Sequence, residues 1–434
     1  MKIGVIGTGY VGLVTAVGLA EFGHDVVGTD VVSEKIALAS KGKSHIYEPG
    51  LESLLQANLK KGNLSFSTDL DEAIRISDVL FVCVNTPPRE DGSADMSYVE
   101  GVSRRIAENI EDYKLVVEKS TVPVKTSSWI KRTISLYRKK DIDFDVASNP
   151  EFLREGTAVH DFLNPDRVII GVETDKAREL MLKIYEKFRD KILVTNIETA
   201  EIIKHASNSF LAMKISFINL ISDLCEKTSA DIEQVAVGMG LDPRIGSQFL
   251  KAGLGYGGSC FPKDVRALIK IGEDEGVGFN LLKEVNRINH KRVDVFIEKV
   301  RKALWILKDK RIAVLGLSFK PQTDDIRNAP SIKIIEHLMK EGAWLNLYDP
   351  QAMDNMKAVF PDDPPQLNYT QSVSDAVEGA NATLIITEWD EFKELDLALL
   401  KSKMANPIII DGRNVFNPDL VRKHGFEYYS IGRC

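Results

Sequence analysis

The sequence is poor in cysteine, with only four among 434 residues. They stand at positions 83, 225, 260 and 434, and none of their spacings is typical of metal ligands. This scarcity excludes a disulfide-rich scaffold, and we expect no metal site. Scattered thiols fit a reducing compartment, which predicts a cytoplasmic protein.

The sequence also lacks a long apolar run and an excess of positive charge. No stretch reaches about 18 apolar residues, so we expect no membrane span. The opening residues 1–7 look like a strand and a turn, without the apolar stretch of a signal peptide. The net charge of −7 argues against general binding to nucleic acid or to an anionic membrane. Any phosphate site must therefore be a local cluster of Lys and Arg.

Strand-like and helix-like runs alternate over residues 1–195, which is typical of a parallel, doubly wound sheet. The strand-like runs are 2–6, 25–29, 79–84, 115–119, 144–147 and 168–172. Residues 310–349 again predict a strand, a helix and a strand that ends in Asp349, the same order as in residues 1–30. We therefore predict an α/β fold with two Rossmann-like doubly wound domains, joined by a long central helix and a helical middle domain. The expected boundaries are 1–195, 196–305 and 306–434.

The predicted central helix, residues 199–228, is apolar nearly all round. A helix with so little polar surface is expected to be buried on most sides. We expect it to join the domains and to pack against another subunit. The sequence thus predicts a homo-oligomer, a dimer at least.

A dinucleotide-binding pattern lies between the first predicted strand and helix. In Gly7-Thr8-Gly9-Tyr10-Val11-Gly12, the glycines permit a tight turn, approach of the pyrophosphate, and close helix–strand packing. Free N–H groups at the helix N-terminus can bind phosphate. Asp30 ends the second strand, where it can bind the adenosine ribose and repel a 2′-phosphate. This favours NAD over NADP, although Lys35 lies close in sequence.

Polar residues follow several of the predicted strand ends. Ligands of doubly wound sheets bind outside the carboxyl ends of the strands. We therefore expect one crevice to contain Gly7, Asp30, Thr86, Thr121 and Glu151.

Cys260 lies in a glycine-rich stretch, 255–264, and is followed by Lys263 and Asp264. Glycines let backbone approach a ligand closely, and a nearby cation favours the thiolate, which is the nucleophile. A cofactor together with an activated cysteine suggests covalent oxidation, in which an aldehyde is held on sulfur while a hydride leaves. The alternative is a buried structural cysteine.

Lys204 and Asn208 are spaced i,i+4 and share one face of the apolar helix. A buried lysine needs a partner or a function. Together the two side chains can stabilise an alkoxide or oxyanion. The alternative is a lysine that extends to a charged partner.

Two carboxylates, Glu151 and Glu155, follow a predicted strand and can act on water during thioester hydrolysis. Alone, they fit equally a charge pair at a helix start. In the second domain Lys320, Arg327 and Arg413 can bind phosphates of another nucleotide ligand, or they are solvated surface cations.

Taken together, these residues resemble the UDP-glucose 6-dehydrogenase family, within the wider group of nucleotide-sugar dehydrogenases. The resemblance covers nearly the whole chain. Its most specific motifs are Gly-Tyr-Gly-Gly-Ser-Cys-Phe-Pro-Lys-Asp at 255–264 and Asn-Pro-Glu-Phe-Leu-Arg-Glu-Gly at 149–156. Ile-Lys-His-Ala-Ser-Asn at 203–208 and Asp-Gly-Arg at 411–413 are also characteristic. It implies two NAD-dependent oxidations of UDP-glucose at C6, giving UDP-glucuronate.

The resemblance also implies catalytic roles. Cys260 holds C6 as thiohemiacetal and then thioester, while Lys204 and Asn208 stabilise negative charge on the C6 oxygen. Asp264 works through water in proton transfer, and Glu151 assists hydrolysis. Thr121 positions a water or the nicotinamide.

Further binding residues follow from the same resemblance. Those expected near NAD are Gly7, Gly9, Tyr10, Val11, Gly12, Asp30, Lys35, Thr86, Thr121, Glu155, Lys263 and Arg327. Those expected at the UDP-sugar are Glu151, Phe152, Leu153, Lys204, Asn208, Phe249, Leu250, Lys251, Gly257, Cys260, Phe319, Lys320 and Arg413, with Arg244 reaching the sugar site of a neighbouring subunit.

Three alternatives remain at this stage. The chain is similar also to GDP-mannose and UDP-N-acetyl-hexosamine dehydrogenases, which share the Cys, Lys and Asn. A single-hydride dehydrogenase of related fold would not need Cys260. A non-catalytic NAD sensor would bind cofactor without turnover.

Overall fold

The computed structural model describes residues 1–361 and 365–433, so Cys434 lies outside the described residues. The chain divides into two compact units. The first contains residues 1–207 and 266–277, and the second contains residues 208–265 and 278–434.

The first unit is built on an eight-stranded sheet with the strand order β3-β2-β1-β4-β5-β6-β7-β8. Its strands are β1 (Lys2–Ile6), β2 (Asp25–Thr29), β3 (Leu64–Ser67), β4 (Val79–Val82), β5 (Lys114–Glu118), β6 (Phe144–Ser148), β7 (Val168–Gly171) and β8 (Ile192–Thr195). Its helices are α1 (Tyr10–Glu21), α2 (Ser33–Ser40), α3 (Leu51–Lys61), α4 (Leu70–Ile76), α5 (Ser97–Asn109), α6 (Thr126–Tyr137), α7 (Ala158–Leu163) and α8 (Asp175–Ile184), with a 3₁₀ turn at Glu186–Lys191.

The prediction of a wholly parallel sheet was wrong at one pair, because β6 and β7 run antiparallel. The short strands β3 and β8 were also missed. Both lie at the sheet edges and are partly exposed. The strand β3 alternates apolar and polar residues and so lacks the continuous apolar run that marks a central strand, whereas β8 has such a run, residues 192–194, and was missed nonetheless.

Alternating side chains of the central strands separate the core of this unit into two layers. Val79 and Phe81 of β4 pack into one buried cluster, whereas Leu80 and Val82 pack into the other. This is the period of two expected for a strand covered on both faces. Helices therefore cover both sides, and the loops at the carboxyl ends are left for the site.

The second unit is built on a six-stranded, fully parallel sheet with the strand order β11-β10-β9-β12-β13-β14. Its strands are β9 (Arg311–Leu315), β10 (Trp344–Tyr348), β11 (Leu367–Tyr369), β12 (Ala382–Ile385), β13 (Ile408–Asp411) and β14 (Glu427–Tyr429). The remaining helices of the chain are α9 (Ile197–Thr228), α10 (Ile232–Gly240), α11 (Cys260–Asp274), α12 (Asn280–Leu304), α13 (Pro330–Lys340), α14 (Met353–Val359), α15 (Val373–Val377), α16 (Asp390–Lys393), α17 (Leu397–Lys403) and α18 (Pro418–Lys423).

The predicted fold class is confirmed: the chain has two Rossmann-like sheets and a long central helix, α9. The expectation that α9 is buried on most sides, in part against another subunit, stays a prediction, because one side of the helix is exposed in the single chain. Phe210, Phe217, Leu220 and Leu224 are each about half exposed or more. Serines and asparagines, such as Ser216 and Asn219, lie instead on its buried side.

The three predicted domain boundaries stay a prediction. Within residues 1–361 and 365–433 no helix is long and apolar enough to cross a membrane. The same described residues contain no cluster of three or more His, Cys, Asp or Glu that could hold a metal ion.

Candidate active site

The nucleotide turn joins β1 to α1. Gly7 adopts φ of 88°, a conformation that glycine tolerates, and a Cβ on Gly12 would collide with the carbonyl oxygen of Gly7. At Gly9, by contrast, the nearest atom to an added Cβ lies 3.7 Å away. No side chain of the described residues caps the first turn of α1, so its N–H groups are available to a phosphate.

Asp30 closes this turn from the end of β2. Its Oδ2 accepts hydrogen bonds from the Thr8 amide (2.9 Å) and hydroxyl (3.2 Å), and Lys35 Nζ lies 3.8 Å away. The open space over Gly9, the free N–H groups of the uncapped helix and the Asp30 carboxylate together fit a dinucleotide. When bound, NAD supplies the hydride acceptor.

Two threonines predicted at the crevice lie together. Thr86 follows β4 and Thr121 follows β5, and the Thr86 hydroxyl donates to the Thr121 carbonyl oxygen at 2.9 Å. Since β4 and β5 are adjacent, their carboxyl ends bring these residues to one edge of the sheet.

Loop 149–156 follows β6 and begins at a buried polar cluster. Asn149 Oδ1 accepts from Lys119 Nζ (3.0 Å) and from the Tyr185 hydroxyl (2.6 Å), and Asn149 Nδ2 donates to the Ile169 carbonyl (2.8 Å). Lys119 is almost wholly buried, and this desolvation lowers its pKa to about 8 despite the neighbouring Glu151 charge, which opposes the shift.

Glu151 and Lys204 form a buried ion pair in the same unit. Lys204 Nζ lies 2.8 Å from Glu151 Oε1, and the two side chains are 4% and 5% exposed. The other carboxylate oxygen accepts from the Leu153 amide at 2.6 Å. The alternative of a helix-start charge pair therefore does not describe Glu151, because its partner is a lysine of α9.

Phe152, inside the same loop, lies between two cations. The guanidinium of Arg167 is 3.9 Å from its ring centroid and Lys204 Nζ is 5.3 Å away. Glu155 is half-buried, and Arg154 beside it pairs with Asp161 at 2.6 Å.

In the second unit Cys260 is the first residue of α11 and is half-buried. The N-terminus of a helix stabilises negative charge on sulfur. Asp264, one turn later, is fully buried: its Oδ2 accepts from Asn208 Nδ2 at 2.6 Å, and its Oδ1 forms an ion pair with Lys263 Nζ at 2.9 Å. Asn208 keeps a second N–H on the same nitrogen for another acceptor.

The glycines before Cys260 are required by close packing. A Cβ on Gly257 would lie 2.5 Å from the Asn328 carbonyl oxygen, and one on Gly258 would lie 2.7 Å from the Phe319 ring. Leu250 is buried, Lys251 is exposed, and Phe249 has a positive φ of 64°. Close packing therefore restricts the conformation of the glycine-rich loop before Cys260.

Arg413 ties this loop to the second sheet. It donates to the carbonyl oxygens of Ile386 (2.7 Å), Gly255 (3.2 Å) and Phe319 (3.3 Å). Lys320 Nζ lies 5.4 Å from the Phe319 ring centroid. Arg413 thus also positions the loop, in addition to the binding role predicted for it.

Two predicted arginines are exposed. Arg244 pairs with Asp242 at 2.6 Å and Arg327 pairs with Asp325 at 2.8 Å. The role of Arg244 in a neighbouring subunit and that of Arg327 near NAD stay predictions, as do the other site assignments.

The turn after β9 differs from the first nucleotide turn. Asp349, the counterpart of Asp30, is buried, and its Oδ2 accepts from the Leu317 amide (2.6 Å) and the Trp389 indole (3.1 Å). Protein donors thus occupy the carboxylate, which argues against a second dinucleotide at this turn.

Several residues around the loops were missed by sequence reasoning. In the first unit they are Glu48, Lys119, Asn149, Arg167 and Tyr185; in the second they are Asn219, Asn289 and Arg292. Asn149 lay inside a motif already singled out, and Lys119 lay at the end of a strand-like run, 115–119, that the sequence already indicated. The others carry no local pattern.

Family models match most of the chain. Residues 1–189 match the NAD binding domain, 198–291 the central domain and 313–418 the UDP binding domain of one family. The chain belongs to the UDP-glucose/GDP-mannose dehydrogenase family. It is an NAD-dependent dehydrogenase, which confirms the resemblance and the predicted cofactor.

The relatives of this family member cover its whole length. The UDP-glucose 6-dehydrogenase YwqF of Bacillus subtilis (strain 168) is 46% identical and is covered over 98% of its own length. The UDP-glucose 6-dehydrogenase of Rhizobium meliloti (strain 1021) is also 46% identical, with complete coverage of both chains. A solved UDP-glucose dehydrogenase from the archaeon Pyrobaculum islandicum, 38% identical, superposes with a TM-score of 0.93 over all of this chain and 98% of its own.

Proposed function

We propose that this enzyme oxidises UDP-glucose at C6 to UDP-glucuronate in two successive steps, with Cys260 as the covalent nucleophile. The observation that carries the proposal is Cys260 at the start of α11, at the end of a tightly packed glycine loop and one turn before Asp264. The names of the relatives support UDP-glucose as the substrate.

The first oxidation removes a hydride from C6, for which NAD would be the acceptor, and a proton from the C6 hydroxyl, which Asp264 takes up through water. Lys204 and Asn208, one turn apart on α9, donate hydrogen bonds to the C6 oxygen as negative charge develops there. The buried Glu151 orients Lys204, and Asp264 orients Asn208.

The thiolate of Cys260 then adds to the C6 aldehyde and forms a thiohemiacetal, whose oxygen takes up a proton. Loss of a second hydride and of that proton gives the thioester. Water attacks the thioester carbonyl, the C–S bond breaks, and the acid and the Cys260 thiolate are released. Glu151 or Asp264 takes the proton of the attacking water.

We propose that residues 1–195 bind NAD. Residues 196–305 form the dimer contact and also carry the catalytic Lys204, Asn208 and Cys260. Residues 306–434 bind the UDP-sugar, with Lys320 and Arg413 as its cationic contacts. The expected location is the cytoplasm.

We propose a homodimer at least, formed through α9. Phe210, Phe217 and Leu224 recur every seven residues on the exposed side of this helix, the spacing of residues that pack against a second helix. Arg244 would then act in the partner's sugar site.

The deciding experiment counts NADH. Two NADH should form per UDP-glucose, with no free aldehyde trapped by hydroxylamine. A Cys260→Ala variant should bind both ligands and fail to complete the second oxidation, whereas Cys260→Ser can accumulate a slowly hydrolysed ester. One NADH per substrate would favour a single-hydride dehydrogenase, and binding without turnover would favour a sensor.

The nucleotide sugar is tested separately. A panel with GDP-mannose and UDP-N-acetyl-hexosamines, followed by NADH absorbance, should give the highest kcat/KM with UDP-glucose. A higher value with another sugar would reassign the substrate and leave the cysteine mechanism untouched.

A further inference from the structure

Glu48 is a buried carboxylate to which the mechanism above gives no role. It lies in the connection between α2 and α3 and is 6% exposed. Its Oε1 accepts from the Ala158 amide at 2.7 Å and its Oε2 accepts from the Gly156 amide at 2.7 Å. Both amides lie more than 100 residues further along the chain.

The same carboxylate also bonds the nucleotide turn. The Tyr10 hydroxyl donates to Glu48 Oε2, and the Gly156 amide lies 3.1 Å from the Tyr10 oxygen. Tyr10 is the first residue of α1, the helix whose uncapped N-terminus fits the cofactor phosphates. Three donors from two segments distant from Glu48 in sequence therefore meet at one buried carboxylate.

The contact fixes one end of loop 149–156. Its other end is held by the hydrogen bonds of Lys119 and Tyr185 to Asn149. Glu151, with its partner Lys204, lies between these two anchors, and Glu155 lies next to the Glu48 anchor at Gly156. A shift of Tyr10 or Glu48 thus moves residues predicted at the cofactor and at the substrate.

We propose that Glu48, through the Tyr10 hydroxyl and the Gly156 and Ala158 amides, is a positioning residue that makes cofactor binding and the placement of loop 149–156 interdependent. A carboxylate that only caps α7 would need no hydrogen bond from Tyr10 at the nucleotide turn. The inference deepens the proposed function, since loop 149–156 is the candidate substrate loop.

The test removes the hydroxyl in Tyr10→Phe and the carboxylate charge in Glu48→Gln. Tyr113→Phe is the matched control, because the Tyr113 hydroxyl also donates to a carboxylate of the first unit, Asp145 at 2.7 Å, away from the loop. Hydrogen bonds to charged groups are among the stronger ones, so we expect NAD affinity to fall about tenfold in the first two variants. The control should bind NAD within about twofold of the unmodified enzyme.

The second measurement is hydrogen–deuterium exchange of the peptide covering 154–160, with and without NAD. If Glu48 only capped α7, its replacement would not change the effect of NAD on this exchange. NAD should slow this exchange in the unmodified enzyme and in Tyr113→Phe, and should leave it nearly unchanged in Tyr10→Phe. Glu48→Gln decides the matter on the same readout if Tyr10→Phe fails to fold.

Normal NAD affinity and normal NAD-dependent protection in both variants would overturn the inference and leave Glu48 as a structural cap. This outcome is distinct from failure of the proposed function. Neither measurement uses a sugar nucleotide, so a wrong substrate would show only in the NADH count.

Discussion

Breaking the Lys204–Glu151 ion pair from one side should cost more stability than removing both partners. The two side chains are nearly inaccessible to water, and Nζ lies 2.8 Å from Oε1. A buried charge that loses its partner destabilises a protein by about 3–5 kcal/mol, whereas replacing both by neutral groups is often close to neutral.

For this pair we expect the lower end of that range. Lys119 lies near enough to interact electrostatically with Glu151, so it compensates part of the carboxylate charge when Lys204 is replaced. Lys204→Met and Glu151→Gln should each lower the free energy of unfolding by about 3 kcal/mol. The double variant should lose much less than the sum, with a coupling energy of about 2–3 kcal/mol.

Activity should follow a different pattern. Lys204→Met should lower kcat about a hundredfold to a thousandfold, since the donor that we propose for the C6 oxygen is lost. The double variant should regain stability and stay as inactive as Lys204→Met.

The assay compares the unfolding free energies of the unmodified enzyme, the two single variants and the double variant, measured by denaturant unfolding of the first unit. NADH production is measured on the same four proteins. The exposed pair Lys131–Glu173, with both side chains 46% exposed, is the matched control and should show coupling of at most about 1 kcal/mol. Strictly additive losses at Lys204 and Glu151, or an active double variant, would refute the reasoning.

The remaining predictions concern cofactor, substrate, pH and assembly. Asp30→Ser should narrow the preference for NAD over NADP, measured as the ratio of kcat/KM values; an unchanged ratio would contradict the assignment of Asp30. Arg413→Ala and Lys320→Ala should raise KM for UDP-glucose at constant NAD affinity, and a fall in NAD affinity would mean that the second sheet binds another ligand. Burial raises the pKa of Glu118 from 4.5 to about 8, so the folded state keeps a proton that the unfolded chain has lost, and stability falls as pH rises between these values. Between pH 6 and 8 the unmodified protein should lose about 2–3 kcal/mol of unfolding free energy through Glu118. Glu118→Gln should not show this loss, so its Tm should depend less on pH. Light scattering should give at least twice the chain mass of 48.3 kDa, and a monomer at micromolar concentration would contradict the dimer.

The central strands, the nucleotide turn and the cysteine loop could all be predicted from the sequence alone. In each of these the information is contiguous: apolar residues in a buried strand, three glycines spaced for one turn, and a thiol before a helix start. The motif residues Lys204 and Asn208 could be placed on one helix face because the spacing i,i+4 is local geometry.

The pairing of these elements, by contrast, depends on contacts between segments that are distant in sequence. The antiparallel β7 depends on where the chain crosses the sheet, and the edge strands β3 and β8 each pair with a single neighbouring strand. Local propensity carries little information about either choice.

The polar partners of the candidate site were decided in the same way. The contact of Glu48 with Gly156 joins residues 108 positions apart, and that of Arg413 with Gly255 joins residues 158 apart. A buried charge or carbonyl must find a hydrogen-bond partner, but its place in the sequence does not say which one. Packing makes that choice, so the sequence predicts which groups carry the chemistry and the fold determines what holds them in place.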